Sequence, residues 1–264
     1  MRTHIKSVLR IIIILLMSFA YLLAPAVTAQ ANEHVNESAN KTVHIIVVLA
    51  DNANQGIVPV PDKLGDGMNP RTNLYWGALY GVKTHFRRQN SITTLPSKNT
   101  PLPKNVLEQI DFLLKTENGN ISIHAEAWRG DRMAAAIRSF YDNINKPDGS
   151  GLVVFVGHNG LMDTFVPAPL PLSGQPKYGK NKDAMILACF SDRYFTPTLN
   201  NLGARPALMT QGLMAPEAYS LLPAIKAWAA EKPVNDIRKS AAAGYAKYQK
   251  IPLRNAERLF GVKK

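Results

Sequence analysis

The runs Gly151-Leu152-Val153-Val154-Phe155-Val156-Gly157-His158-Asn159-Gly160 and Ala184-Met185-Ile186-Leu187-Ala188-Cys189 decide the fold. Each is a short aliphatic stretch with no polar side chain until its last positions. A strand with one wet face alternates, whereas a strand covered on both faces is apolar throughout, as in a parallel sheet between helices. Val43 to Ala50 has the same character. Helical periods separate these runs: Met133, Ala134, Ile137, Phe140, Tyr141 and Ile144 recur after the Gly130-Asp131 turn, and another helix is expected near Tyr194 to Leu202. Strands alternating with helices predict an α/β fold, a three-layer sandwich with a mostly parallel sheet between helices.

The remaining segments fit around that frame. Asn120 to Trp128 alternates as a strand, and Ser91 to Leu95 and Ala207 to Thr210 are short strands. Asn73 is expected to cap a helix carrying Leu74, Ala78, Leu79, Val82 and Phe86. Val106, Leu107, Ile110, Leu113 and Leu114 mark a second amphipathic helix, and two or three helices follow Pro216. The stretch from Asp51 through Pro70 lacks any apolar period, and a loop of that length in a packed domain points to function. A second loop, broken by Pro167, Pro169, Pro171 and Pro176, separates the two runs quoted above.

At the N-terminus Arg2, Lys6 and Arg10 precede an uncharged run from Ile11 to Leu23, then the small residues Ala24-Pro25-Ala26-Val27-Thr28-Ala29. This is the pattern of a signal peptide over residues 1–29, with cleavage after Ala29 or Ala31. The apolar run falls short of the roughly 18 residues a membrane-spanning helix needs, so no stable membrane insertion is expected after cleavage. Residues 30–42 read as a flexible polar leader and 43–264 as a single α/β domain, periplasmic or secreted. Loss of the three basic residues lowers the formal charge from +12 to about +9. The basic residues are scattered, with neither a stripe nor a docking motif, so no nucleic acid is expected as a partner.

Cys189 is the chain's only cysteine, so it has no disulfide partner within the chain. In an open parallel sheet, ligands bind beyond the carboxyl ends of the strands, where both Cys189 and His158 fall. Consecutive strands are usually neighbours, about 4.8 Å apart, which would set the two side chains across one crevice. A histidine there can promote a thiolate and return the proton to a leaving amine. The backbone N–H groups of Cys189 and of Gly160 or Asn159 are the natural oxyanion donors.

An apolar strand ending in histidine with glycine close by, followed by an apolar strand ending in Ala188-Cys189, resembles the caspase, legumain and gingipain superfamily of cysteine peptidases. The resemblance implies a caspase-like fold and hydrolysis of peptide bonds in a peptide or protein substrate, with no cofactor. It maps the reaction onto His158, Gly160 and Cys189. The family's adjacent His-Gly pair is His158-Asn159-Gly160 here, which displaces the oxyanion donor by a residue and brings Asn159 into the site. Leu187 stands where several relatives place a polar residue that reads the substrate, so neither an acidic nor a basic preference carries over. The expected function is that of a secreted or periplasmic cysteine peptidase using a Cys189/His158 dyad. The alternative is a catalytically inactive caspase-like module that binds or scaffolds in the envelope.

Substrate-binding candidates lie at the other strand ends. Asp51 and Asn52 can orient His158 or bind substrate, or simply form the turn after a strand. Trp128 and Arg129 can line a specificity pocket, or be packing and a surface charge. Gln211 follows the strand after the cysteine, where relatives hold the substrate backbone. His124 and Glu126 share a face, but two ligands with Asp131 as the only third do not make a zinc site, so no metal is expected. His44 and His85 have no visible partner in the sequence.

Overall fold

Val43 to Val48 are buried almost without exception, because the first strand is covered on both faces. A computed structural model describes residues 41–96, 100–147, 149–167 and 182–263, all within one compact unit. Residues 1–29, where the sequence suggests a signal peptide, most of the polar leader and most of the proline-broken loop lie outside the described residues. The elements run β1 (Thr42–Val48), α1 (Val82–Arg87), β2 (Ile92–Thr94), β3 (Val106–Thr116), β4 (Gly119–Trp128) and α2 (Met133–Asn145). They continue with β5 (Leu152–Val156), β6 (Asp183–Leu187), α3 (Ser191–Leu202), β7 (Arg205–Leu208), α4 (Ala218–Ala229), α5 (Val234–Gln249) and α6 (Leu253–Leu259).

Seven strands form one sheet in the order β2-β3-β4-β1-β5-β6-β7. The pairings from β4 through β7 are parallel, while β2 and β3 add an antiparallel edge. The fold is therefore the three-layer α/β sandwich the apolar runs predict. One face carries Ile45, Val47, Val154, Val156, Met185 and Leu187 against α1, α4, α5 and α6. The other carries Ile46, Val48, Val153, Phe155 and Ile186 against α2 and α3. Strand alternation sends neighbouring residues to opposite layers, so each strand feeds two cores. Phe140, Phe155 and Phe195 stack edge-on or tilted within 6.2 Å of one another at the centre of the second core.

Two expected helices are absent from their predicted places. Val106 to Leu114 is strand β3, joined to β4 by a two-residue hairpin turn, Glu117-Asn118, between the paired Thr116 and Gly119. Its buried positions Val106, Ile110, Phe112 and Leu114 alternate once Phe112 is counted, and the Asn118-Gly119 step is a hairpin signal. The helix expected from Asn73 starts only at Val82. Asn73 does not cap it: its amide accepts Ala50 N–H at 3.0 Å and donates to Ala50 O at 2.8 Å, tying the loop to the end of β1. Among the described residues no helix is long and apolar enough to cross a membrane.

Candidate active site

Val156 and Leu187 are the last ladder partners of β5 and β6, and His158 and Cys189 each lie two residues further along. One more bond continues the pairing, from Gly157 N–H to Leu187 O at 3.1 Å. The sequence-derived pair thus occupies matched positions beyond the carboxyl ends of adjacent parallel strands. Gly157 makes the exit from β5 possible. Its φ is +150°, and a Cβ there would stand 3.0 Å from Val48 O on β1.

The cysteine sits on a tight strand-to-helix turn. Phe190, directly after it, has φ +50°, a left-handed conformation uncommon for a bulky residue. Buried Ser191 and Thr210 pin this turn: Ser191 N–H donates to Thr210 Oγ1 at 3.1 Å, Thr210 N–H to Ser191 Oγ at 2.9 Å, and Thr210 Oγ1 to Ala188 O. Phe190 N–H donates to Gly212 O at 2.9 Å. Asn159 secures the turn from the neighbouring strand, its Nδ2 donating to Cys189 O at 2.6 Å. A strained residue held by this many bonds follows the candidate nucleophile, and such strain commonly clusters at functional sites.

The Cys189 thiol is half-buried and meets the backbone of Met214, donating to its carbonyl at 3.6 Å and accepting its N–H at 3.4 Å. Tyr75 and Tyr245 are close enough that burial, reinforced by the charges of Cys189 and Glu217, raises both phenols. Burial also raises the Glu217 carboxyl, which accepts Tyr219 OH at 2.9 Å. His158 is buried, and its Nε2 lies 2.5 Å from Asp163 Oδ2. That leaves Nδ1 as the ring nitrogen with no hydrogen bond among the described residues. No hydrogen bond joins His158 to Cys189 there either.

The backbone donors sort themselves. Gly160 N–H donates to His158 O at 3.1 Å, while the N–H groups of Asn159 and Cys189 make no hydrogen bond among the described residues. Gly160 has a packing reason of its own, since a Cβ would meet Met133 Cγ of α2 at 2.2 Å.

The other sequence-derived candidates are engaged elsewhere. Asp51 Oδ1 accepts the N–H groups of Ala53 and Asn54 at 3.0 and 3.1 Å, and Asn52 exchanges two hydrogen bonds with the Val60 backbone. Both hold the long loop together, and Gly67 and Gly130 pack directly on the Asp51 carboxylate. Trp128 is buried in the second core and donates to Glu126 Oε2 at 2.9 Å. Arg129 makes a bidentate pair with Asp131. Gln211 is exposed and donates to Asp192 Oδ2 at 2.9 Å. None of them bonds to His158 or Cys189.

The carboxylate that meets His158 is Asp163, not the sequence-derived candidate Asp51. Its only sequence signal is its place five residues downstream on the same loop. Met214 and Asn159's side-chain role were equally invisible, because the first depends on the loop after β7 and the second on strand register. No family model, no curated protein and no solved structure matches the chain.

Proposed function

We propose that the chain is a cysteine peptidase or related amide hydrolase, a distant relative of the caspase, legumain and gingipain superfamily, acting through Cys189 and His158. The observation that carries this reading is their matched placement two residues beyond the last paired positions of adjacent parallel strands. The N–H groups of Cys189 and Asn159, without a hydrogen bond among the described residues, lie at the same strand ends and support it further.

The chemistry follows from these groups. The thiol turns from the Met214 carbonyl and gives its proton to His158 Nδ1, whose ring Asp163 orients through Nε2. The thiolate attacks the substrate's acyl carbon, a C–S bond forms, and the carbonyl electron pair moves onto oxygen. The Asn159 and Cys189 N–H groups receive that oxyanion. On collapse the C–N bond breaks and the imidazolium protonates the departing amine. Water, deprotonated by the same imidazole, then hydrolyses the thioester and frees the thiol. No cofactor enters this sequence. An exported, signal-cleaved protein working on peptides or proteins of the periplasm or exterior fits the N-terminal pattern.

One observation favours a second reading, an inactive binding or scaffolding module: both reactive groups already have partners, the thiol on Met214 and the imidazole on Asp163. A mixed peptide library separates the two. Cleavage that Cys189→Ala abolishes and His158→Ala slows about 10²- to 10⁴-fold is the expected result. The peptidase reading fails if the wild type, tested also after proteolytic processing and with calcium, cleaves nothing while iodoacetamide labels Cys189 equally fast with and without His158.

A further inference from the structure

We infer that the chain carries a divalent-metal site, best suited to zinc, formed by His44, His124 and Glu126 on the face of the sheet opposite the Cys189 thiol. His44 and His124 are ladder partners across β1 and β4, and Glu126 lies two residues beyond His124, so all three share one face. Their ligand atoms lie within 4.8 Å of one another. Each imidazole Nε2 stands 3.3 Å from a Glu126 carboxylate oxygen, His44 from Oε2 and His124 from Oε1. Tetrahedral zinc, with bonds of about 2.0–2.1 Å, separates its ligands by about 3.3–3.4 Å.

The hydrogen bonding around the cluster points to a cation. His124 Nδ1 lies 2.7 Å from Asp111 Oδ1, so in the neutral ring the proton sits on Nδ1 and Nε2 presents a lone pair toward the Glu126 carboxylate. A proton on Nε2 joins these two acceptors in the imidazolium, and a metal ion bound to Nε2 and the carboxylate would take that proton's place. His44 Nε2 is buried with no hydrogen bond among the described residues, although Glu126 Oε2 stands 3.3 Å away. The Asp111–His124 contact is the carboxylate–histidine arrangement that orients metal-binding imidazoles. Trp128 Nε1 and Gln109 Nε2, each 2.9 Å from a Glu126 oxygen, fix the carboxylate in turn.

Glu126 supplies the anionic ligand, buried with its carboxylate beside both imidazoles. His124 also lines a cavity of about 740 Å³ bounded by Thr42, Asp111, Ser122, Asn143 and Lys146, which gives an ion a route in from solvent. Two neutral imidazoles and one carboxylate leave a fourth position for water, the donor set of an open zinc site.

The test uses the full-length chain, freed of metal and titrated with zinc chloride, with cobalt(II) as a spectroscopic probe. One equivalent of zinc should bind, and cobalt should show the intense visible bands of tetrahedral coordination. His44→Gln, His124→Gln and Glu126→Gln should each weaken zinc at least about 100-fold. Asp111→Asn, which keeps the size of the outer-shell group, should weaken it about 10- to 100-fold. Cys189→Ser and His158→Ala should leave stoichiometry and affinity unchanged, so the outcome stands apart from the peptidase reading. Circular dichroism of the metal-free variants separates lost ligation from lost folding, and Asp111→Asn carries the test if a ligand variant unfolds. Absence of stoichiometric zinc binding, or Asp111→Asn and the ligand variants binding as tightly as wild type, would overturn the site.

Discussion

Asn159 connects the two halves of the candidate active site through a single buried amide. Its Oδ1 accepts Leu161 N–H at 3.1 Å, shaping the turn that carries Asp163, while its Nδ2 donates to Cys189 O at 2.6 Å. Asn159→Ala orphans a half-buried carbonyl and a turn donor together and should cost about 1–3 kcal/mol. Asn159→Asp keeps the acceptor but turns a carboxylate oxygen toward Cys189 O, so it should cost at least as much. Urea denaturation of both variants checks this; a loss under about 0.5 kcal/mol in either would mean that water replaces the amide's bonds. The same residue marks where sequence reading stops. The placement of His158 and Cys189 at neighbouring strand ends is legible because each closes an apolar run. Asn159 was legible only as a displaced backbone donor. What its side chain does depends on two strands lying in register, and Asp163 finds His158 only through the turn between them.

At the level of elements, the apolar runs were read correctly because burial on both faces leaves a strand no choice of composition. β3 reads as a helix in the sequence because Val106, Leu107, Ile110, Leu113 and Leu114 also satisfy a helical spacing, and only pairing with β4 settles the period. The strand period has a consequence, since β3 brings Asp111 and Gln109 to the His124 cluster. The start of α4 offers a test of burial against helix electrostatics. Glu217 precedes the first turn, where the helix dipole favours a negative charge, yet burial raises its carboxyl above the ordinary 4.5. A carboxyl raised by folding binds its proton more tightly in the native state. Its contribution is therefore fully present below pH 4.5 and is lost as pH rises through the raised value. Glu217→Gln keeps an acceptor for Tyr219 OH and removes this dependence. Denaturation midpoints at about pH 4.5 and pH 7 should then differ less in the variant than in wild type. Equal differences would show that Glu217 does not titrate with folding.

On the scale of the whole molecule, the sheet keeps its two candidate sites apart. His44 pairs across the ladder with Val153, five residues before His158. At about 3.3 Å per residue, the histidine cluster lies roughly 16 Å along the strands from the thiol end. The faces differ as well. Cys189 meets Met214 and lies near Tyr245 on the first core, whereas His44 and Glu126 alternate onto the side of Ile46 and Trp128. No sequence pattern announced this arrangement, because β1 joins β4 to β5 and so brings His44 beside a residue 80 positions away. Sites at that separation with no shared partner should behave independently. The stability changes of Glu126→Gln and Cys189→Ala should therefore add in the double variant to within about 0.5 kcal/mol. Zinc loading should likewise leave the rate of Cys189 alkylation within about twofold of the metal-free protein. A coupling energy above about 1 kcal/mol would mean that the β1–β4 and β5–β6 ends respond as one unit. In that case a metal at His44, His124 and Glu126 would set the geometry of the cysteine turn through the intervening strands rather than merely sharing a sheet with it.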